Sequence, residues 1–208
     1  MEKLNDMKYN LKLLIDQFEN GEKRDSLFFW RLEKSDSGDL SPSCFSQWWP
    51  SPFVVDGIVY KTAEHWMMAQ KALLFGDDDS FEKIISAKTP EKAKSLGRQV
   101  RRFNDEVWMS KRMDIVVQGT WCKFSQNNGL KRFLLNTNDK ILAEASPFDK
   151  IWGIGLAADD ENATPPSCWK GLNLLGFALM EVRDIFLRKG NQTFLWGIEC
   201  IYNVLIIN

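Results

Sequence analysis

Glu64 and Lys71 stand seven residues apart in a stretch that runs from Thr62 to Phe75. Spacings of three, four and seven return to the same side of an α-helix, so Glu64, Met67 or Met68, Lys71 and Phe75 share one face. A carboxyl and an amine on one apolar-lined stripe can move a proton or attack an electrophile. The plainer reading is a solvated charged face with a loose surface pair. His65 points away from that stripe, and a lone histidine is more often packed and hydrogen-bonded than catalytic. A second constellation runs from Ala145 to Gly155: Asp149, then Trp152, Gly153 and Gly155. Glycines just after an aspartate let backbone come close to a ligand, and the indole offers a stacking surface. Their spacing is not that of a dinucleotide fingerprint, and an ordinary turn would look similar. The third is a basic run in which Lys88, Lys92, Lys94, Arg98, Arg101, Arg102, Lys111 and Arg112 face only Glu91, Asp105 and Glu106. Such a run can hold a phosphate, although a solvated helical face is the commoner explanation.

The elements that must position these groups are mostly helical. Leu4, Met7, Leu11, Leu14, Ile15 and Phe18 give residues 1–20 an amphipathic helical period that Gly21 ends. Leu27 to Trp30 reads as a strand, followed by a polar loop. Asp56-Gly57 between Phe53-Val54-Val55 and Ile58-Val59-Tyr60 signals a tight hairpin. Thr62 can cap a helix to about Phe75, and Asp79 with Glu82 resembles a capping box for the next. Thr89-Pro90 opens a helix for which Gly97 is the expected stop, and Asn104 caps a long helix towards Phe124. Gly129 to Leu135 reads as a short helix, Ile141 to Ala145 as a strand, Pro147 to Leu156 as a loop, and Ala157 to Ser167 as flexible chain. After Asn173 a helical period continues to about Arg188. The expected fold is mainly α with a small β component (α+β), in one compact domain over residues 27–188. A helical extension (1–26) precedes it and a tail (189–208) follows.

Composition narrows the classes. In 208 residues, Lys and Arg number 27 against 28 Asp and Glu, so no global charge draws the chain to nucleic acid or an anionic membrane. The four cysteines, Cys44, Cys122, Cys168 and Cys200, form no C-x-x-C pair, and one histidine accompanies them. Zinc ligation is therefore not expected. With no secretory signal or membrane-spanning run, reduced thiols in a cytoplasmic or nuclear protein are the natural reading.

Six stretches recur in a single order: Phe45-Ser46 with Pro50 to Phe53; Tyr60 to Trp66 through Ala69-Gln70-Lys71; Ala87 to Pro90 through Leu96-Gly97-Arg98; Lys123 to Asn127; Glu144 through Gly155; and Trp169 to Gly176 into Leu179 to Arg183. Over residues 27–188 the sequence thereby resembles the NADAR/YbiA-like family. The resemblance implies a YbiA-like fold and hydrolysis of an N-glycosidic bond, with no cofactor and no metal. Its substrate would be a ribosylamine phosphate intermediate of riboflavin synthesis, or ADP-ribosyl-guanine in nucleic acid. Carried over by motif, the catalytic positions are Glu64 and Asp149 with Trp108 and Trp152 beside them, and Lys71 matches a lysine of the ADP-ribose-removing members. Lys88, Arg98 and Arg101 are the candidates for substrate phosphate; Asn173 either caps its helix or touches the ligand. The sequence departs from the family pattern at Gln47-Trp48-Trp49, at Trp66-Met67-Met68, in the N-terminal helix and in the tail after Arg188.

Breaking a ribose–nitrogen bond builds positive charge at C1 and negative charge on the departing nitrogen. A carboxylate answers the first and a proton donor the second; Glu64 and Asp149 are the two carboxyls for these tasks, their division open. Lys71 suggests another route, a Schiff base on the opened sugar. Two rivals stand beside this reading: a module that binds NAD or ADP-ribose without hydrolysis, and an interaction protein whose helix 1–20 docks on a partner. The oligomeric state is left open.

Overall fold

The computed structural model describes residues 8–22, 24–30 and 40–189. Among them are seven α-helices and four short strands, so the fold is mainly helical with a small β component. The helix starts follow from side-chain caps. Asn10, Thr62, Thr89 and Asn104 each accept a hydrogen bond from the backbone N–H three residues on, opening α1 (Leu11–Glu19), α2 (Ala63–Leu74), α4 (Pro90–Gly97) and α5 (Asp105–Ser125). For α3 (Asp78–Ser86) the cap is Asp77, not Asp79. Asp77 accepts from Ser80 N and Oγ, whereas Asp79 binds Arg101. The short α6 spans Asn128–Leu135 and α7 spans Leu174–Lys189. The tail beyond, and Leu4 and Met7 of the expected first helix, lie outside the described residues.

β1 (Ser26–Phe29) pairs in parallel with β4 (Ile141–Glu144), setting Phe29 opposite Glu144. β2 (Phe53–Val55) and β3 (Ile58–Tyr60) form the expected hairpin. Its turn residues Asp56 and Gly57 take φ of 50° and 78°, the left-handed pair that a two-residue turn of matching twist requires.

Helix α2 is central. It packs on α3, α4 and α5, while α5 carries α7 and α7 covers β4. Trp66 is 2% exposed and donates its indole N–H to Ile115 O at 2.8 Å. Trp66-Met67-Met68 is thus core: Met68 lies on Gly97 and Trp66 on Gly119, each with no room for a Cβ. Gly97 does end α4, yet through this close approach and not through a left-handed turn. The 157–167 stretch, expected to be flexible, is anchored. Ala163 is buried and its carbonyl accepts the Trp169 indole N–H at 2.7 Å, beside a 3-10 turn at Pro166–Cys168.

The N-terminal extension docks on its own chain. Tyr9 N–H donates to Glu181 Oε1 at 3.1 Å and Tyr9 O–H to Asp184 Oδ2 at 3.0 Å, with Lys8 paired to Asp184. No helix among the described residues is long and apolar enough to cross a membrane.

A Cβ at position 119 would stand 2.2 Å from the Trp66 ring. Gly119→Ala should therefore destabilise the fold by about 1–3 kcal/mol, read as a lowered thermal midpoint; an unchanged midpoint would show that the indole shifts freely.

Candidate active site

Glu64 occupies the first turn of α2 and is 2% exposed. Its backbone N–H donates to Gln47 O at 3.0 Å, and its Oε2 accepts the Trp48 indole N–H at 3.2 Å. The other oxygen, Oε1, is buried and has no hydrogen-bond partner. Burial pushes this carboxyl up to about 7, with Asp149 adding to the rise and Lys94, Trp48 and Arg98 opposing it.

Trp48 is fixed in turn by a buried lysine. Lys123, 1% exposed on α5, donates to Cys44 O at 2.7 Å and Ser46 O at 2.9 Å. Ser46 Oγ then accepts the Trp48 N–H at 3.2 Å. Burial lowers the Lys123 ammonium to about 7. The Gln47-Trp48-Trp49 segment, which departs from the family pattern, is therefore the covering over Glu64.

A third carboxyl, absent from the sequence-based candidates, joins Glu64 and Asp149. Glu144 ends β4, half-buried, with its Oε2 inaccessible and without a hydrogen-bond partner. Burial drives it up to about 8; Asp149 and Glu64 push it further the same way, and Lys94 pulls against them. The one signal for it in the sequence is an acid closing an apolar run, Ile141-Leu142-Ala143. Asp149 is anchored through Oδ1, which accepts from Ile151 N at 2.9 Å and Trp152 N at 2.8 Å. Trp152 is half-buried beside it.

The cations divide. Lys94, also absent from those candidates, lies 5.8 Å from the centre of the Trp48 ring and acts on both Glu64 and Glu144. Arg98, the residue that caps the C-terminal end of α4, acts on Glu64 and on Lys71. Lys71 Nζ sits 4.1 Å from the Phe103 ring centre and 5.6 Å from that of Trp108. Burial and Arg98 lower its ammonium, against Asp105. Seven residues of helix separate Lys71 from Glu64 by roughly 10 Å along the axis. The candidate site thus has a carboxyl group of residues and a cation–aromatic group, and Arg98 acts on both Glu64 and Lys71.

Three of the expected groups have partners within the fold. Arg101 is not turned to this site: its guanidinium is committed to Asp77 at 2.6 Å and Asp79 at 2.8 Å, which holds the Asp77 carboxyl well below the usual range. Asn173 stands at the start of α7, its carbonyl accepting from Phe177 N at 3.1 Å, while its side chain is engaged with β4. It is fully buried, its Oδ1 accepting from Glu144 N at 3.1 Å and its Nδ2 donating to Leu142 O at 2.9 Å. The glycines after Asp149 accommodate chain, not ligand: a Cβ on Gly153 would meet Glu144 O at 2.7 Å, and one on Gly155 would meet Lys170 Cβ at 3.0 Å. Lys88 stays exposed between α3 and α4. His65 is structural, its ring bound to Thr62 Oγ1 at 2.8 Å and Ala87 O at 3.1 Å.

A model of the NADAR domain matches residues 28–187. The chain belongs to the NADAR family. It is 45% identical over 163 residues to the N-glycosidase R617 of Acanthamoeba polyphaga mimivirus, a match covering 76% of this chain and 94% of that protein. It is 35% identical over 117 residues to the riboflavin biosynthesis protein PYRR of Arabidopsis thaliana, covering 54% of this chain and 18% of that protein. The NMR structure of the Escherichia coli protein YbiA superposes with a TM-score of 0.60 at 27% identity, covering 84% of this chain and 93% of that one. Glu64, Glu144 and Asp149 all fall within the NADAR match.

The raised carboxyls have a consequence for stability. Between their ordinary value and about 7 for Glu64, or about 8 for Glu144, the folded NADAR domain holds protons that the unfolded chain releases. Stability should therefore fall as pH rises from 5 to 7. Lys123 acts with the opposite sign but mainly above pH 7, where the folded chain binds the fewer protons. Denaturant unfolding at pH 5, 6 and 7 should show this fall, and Glu64→Gln with Glu144→Gln should flatten it; an equal slope in the double variant would contradict the assignment.

Proposed function

We propose that this N-glycosidase cleaves the bond between C1 of a ribosyl or ADP-ribosyl group and a nitrogen, with substrate phosphate held by Arg98 beside Lys71. The observation that carries this reading is the polarity of the candidate site, with mutually acting carboxyls in one part and Lys71 over aromatic rings in another. An oxocarbenium-like C1 is attracted by carboxylate and a phosphate is repelled by it, so the two halves of the substrate sort themselves along the site. Asp149 stabilises the charge at C1, its loop held rigid by the two amides on Oδ1. Glu64, covered by Trp48, is a buried carboxyl of the same group, and the environment it sets is needed for relieving the departing nitrogen. Trp108 and Trp152 flank the ligand and exclude water. Lys88 remains a peripheral phosphate candidate. A module that only binds phosphate would gain nothing from three carboxyls at its centre, which favours hydrolysis over simple binding.

Two substrate classes fit this layout. The PYRR relative favours a ribosylaminopyrimidine phosphate; ADP-ribosyl-guanine offers the same ribose–nitrogen link with more phosphate. Incubating the protein with each in turn and assaying the freed sugar decides between them. Glu64→Gln and Asp149→Asn should each lower kcat on the true substrate by about 100-fold or more, and full activity in either would remove that residue. Arg98→Ala should raise KM about tenfold, on the order of 1.4 kcal/mol, with kcat little changed.

Lys71 supports a second route, because its amine is held towards the neutral form by burial and by Arg98. Borohydride added during turnover should trap an adduct on Lys71 if a Schiff base forms. No adduct, with normal turnover in Lys71→Ala, would leave it a binding group or none.

A further inference from the structure

Three carboxyls act on one another, and they are not equally placed to touch a substrate. Glu64 is sealed: 2% exposed, one oxygen on the Trp48 indole and the other buried. Asp149 and Glu144 are half-buried; Glu144 has one buried oxygen, Oε2, but its carboxyl is not closed off by a side-chain donor as Glu64 is by Trp48. The Glu144 backbone is held on both sides. Its N–H binds Asn173 Oδ1 at 3.1 Å, and its carbonyl accepts from Ser146 N and Ile154 N, both at 2.9 Å. The groups acting on its carboxyl come from three separate elements: Asp149 on the following loop, Lys94 on α4 and Glu64 on α2.

We propose that Glu144 is the carboxyl that meets the substrate as proton donor, and that Glu64 stands behind it as a positioning residue. Asp149, anchored by two amides on Oδ1, and Glu144, a desolvated neighbour on which Asp149 acts, are the pair of carboxyls through which the proton moves. The Glu144 O–H bond breaks as a new N–H bond forms on the leaving nitrogen, and the electron pair of the C1–N bond goes to that nitrogen. Water then bonds to C1 and gives its proton to Asp149. That proton passes back to Glu144, so the cycle consumes one water and no net proton. Glu64 takes no part in bond making. Its carboxyl, closed off by Trp48, pushes the Glu144 carboxyl up, and Lys94 pulls against it.

This inference rests on the N-glycosidase reading, and the test separates the two. The wild-type protein and Glu144→Gln are assayed on the N-linked substrate and on 4-nitrophenyl riboside 5-phosphate, whose leaving group departs without a proton. Glu144→Gln should lose about 100-fold or more in kcat on the N-linked substrate yet stay within about threefold on the nitrophenyl compound. It should also lose the high-pH limb of the rate profile. Glu144→Asp should recover part of the N-linked activity, and formate should restore some to Glu144→Ala. Equal loss on both substrates, or unchanged activity on the N-linked one, overturns the donor role while leaving the enzyme class intact. A wild-type protein that cleaves neither compound, nor ADP-ribosyl-guanine, overturns the glycosidase reading and this inference with it.

Discussion

Asn173 holds the site together from behind. It is a buried non-glycine residue at φ 52°, a conformation that asparagine tolerates better than most side chains. Its amide bridges Leu142 O and Glu144 N, and its own N–H binds Gly153 O at 3.1 Å. One residue thereby joins β4, the loop that carries Asp149, and the start of α7. Gly176 lets α7 approach so closely that a Cβ there would stand 2.0 Å from Leu142 O. Each buried hydrogen bond contributes on the order of 1 kcal/mol net, but their geometric effect is larger: the direction of Glu144 and the position of Asp149 are set by the same joint.

Around that joint the fold carries ionisable groups that stability alone would not select. Glu64 and Glu144 are desolvated carboxyls, and Lys123 is a desolvated ammonium. Burying such groups without a full set of partners opposes folding. Their connection explains their presence together. Lys123 pins the carbonyls of Cys44 and Ser46, Ser46 holds the Trp48 backbone, and Trp48 holds Glu64. A chain of local costs that ends at one carboxyl is the pattern expected where the environment of that carboxyl matters to chemistry.

The local elements were readable in the residues because their causes are local. Thr62, Thr89 and Asn104 cap helices by side chains that act three residues away, and Asp56-Gly57 sets its own turn. Partners distant in the chain were not readable. Arg101 has the composition of a phosphate ligand, yet Asp77 lies within reach once α3 packs on α4. The Asn173 side chain looks like a helix cap until β4 is seen alongside it. Glu144, Lys94 and Lys123 become distinctive only through burial and neighbours, which no spacing encodes. Trp48 carried a signal, as a departure from the family pattern, but not the identity of the group it would bind.

The division of cations bears on what kind of substrate the site can hold. Of the basic residues between 88 and 112, Lys94 and Arg98 act on the carboxyl centre, and Arg98 also reaches Lys71. Arg101 is neutralised by two aspartates and Lys88 faces solvent away from any ion pair among the described residues. Lys94 is itself balanced against the carboxyls, leaving Arg98 and Lys71 as the charge available to an incoming phosphate. Long polyanion contacts need many such cations on one surface, and their loss with salt scales with that number. Two cations beside aromatic rings suit a compact phosphorylated group. Under the proposed function, this favours a grip on the ribosyl unit and its nearest phosphate over a long nucleic-acid contact.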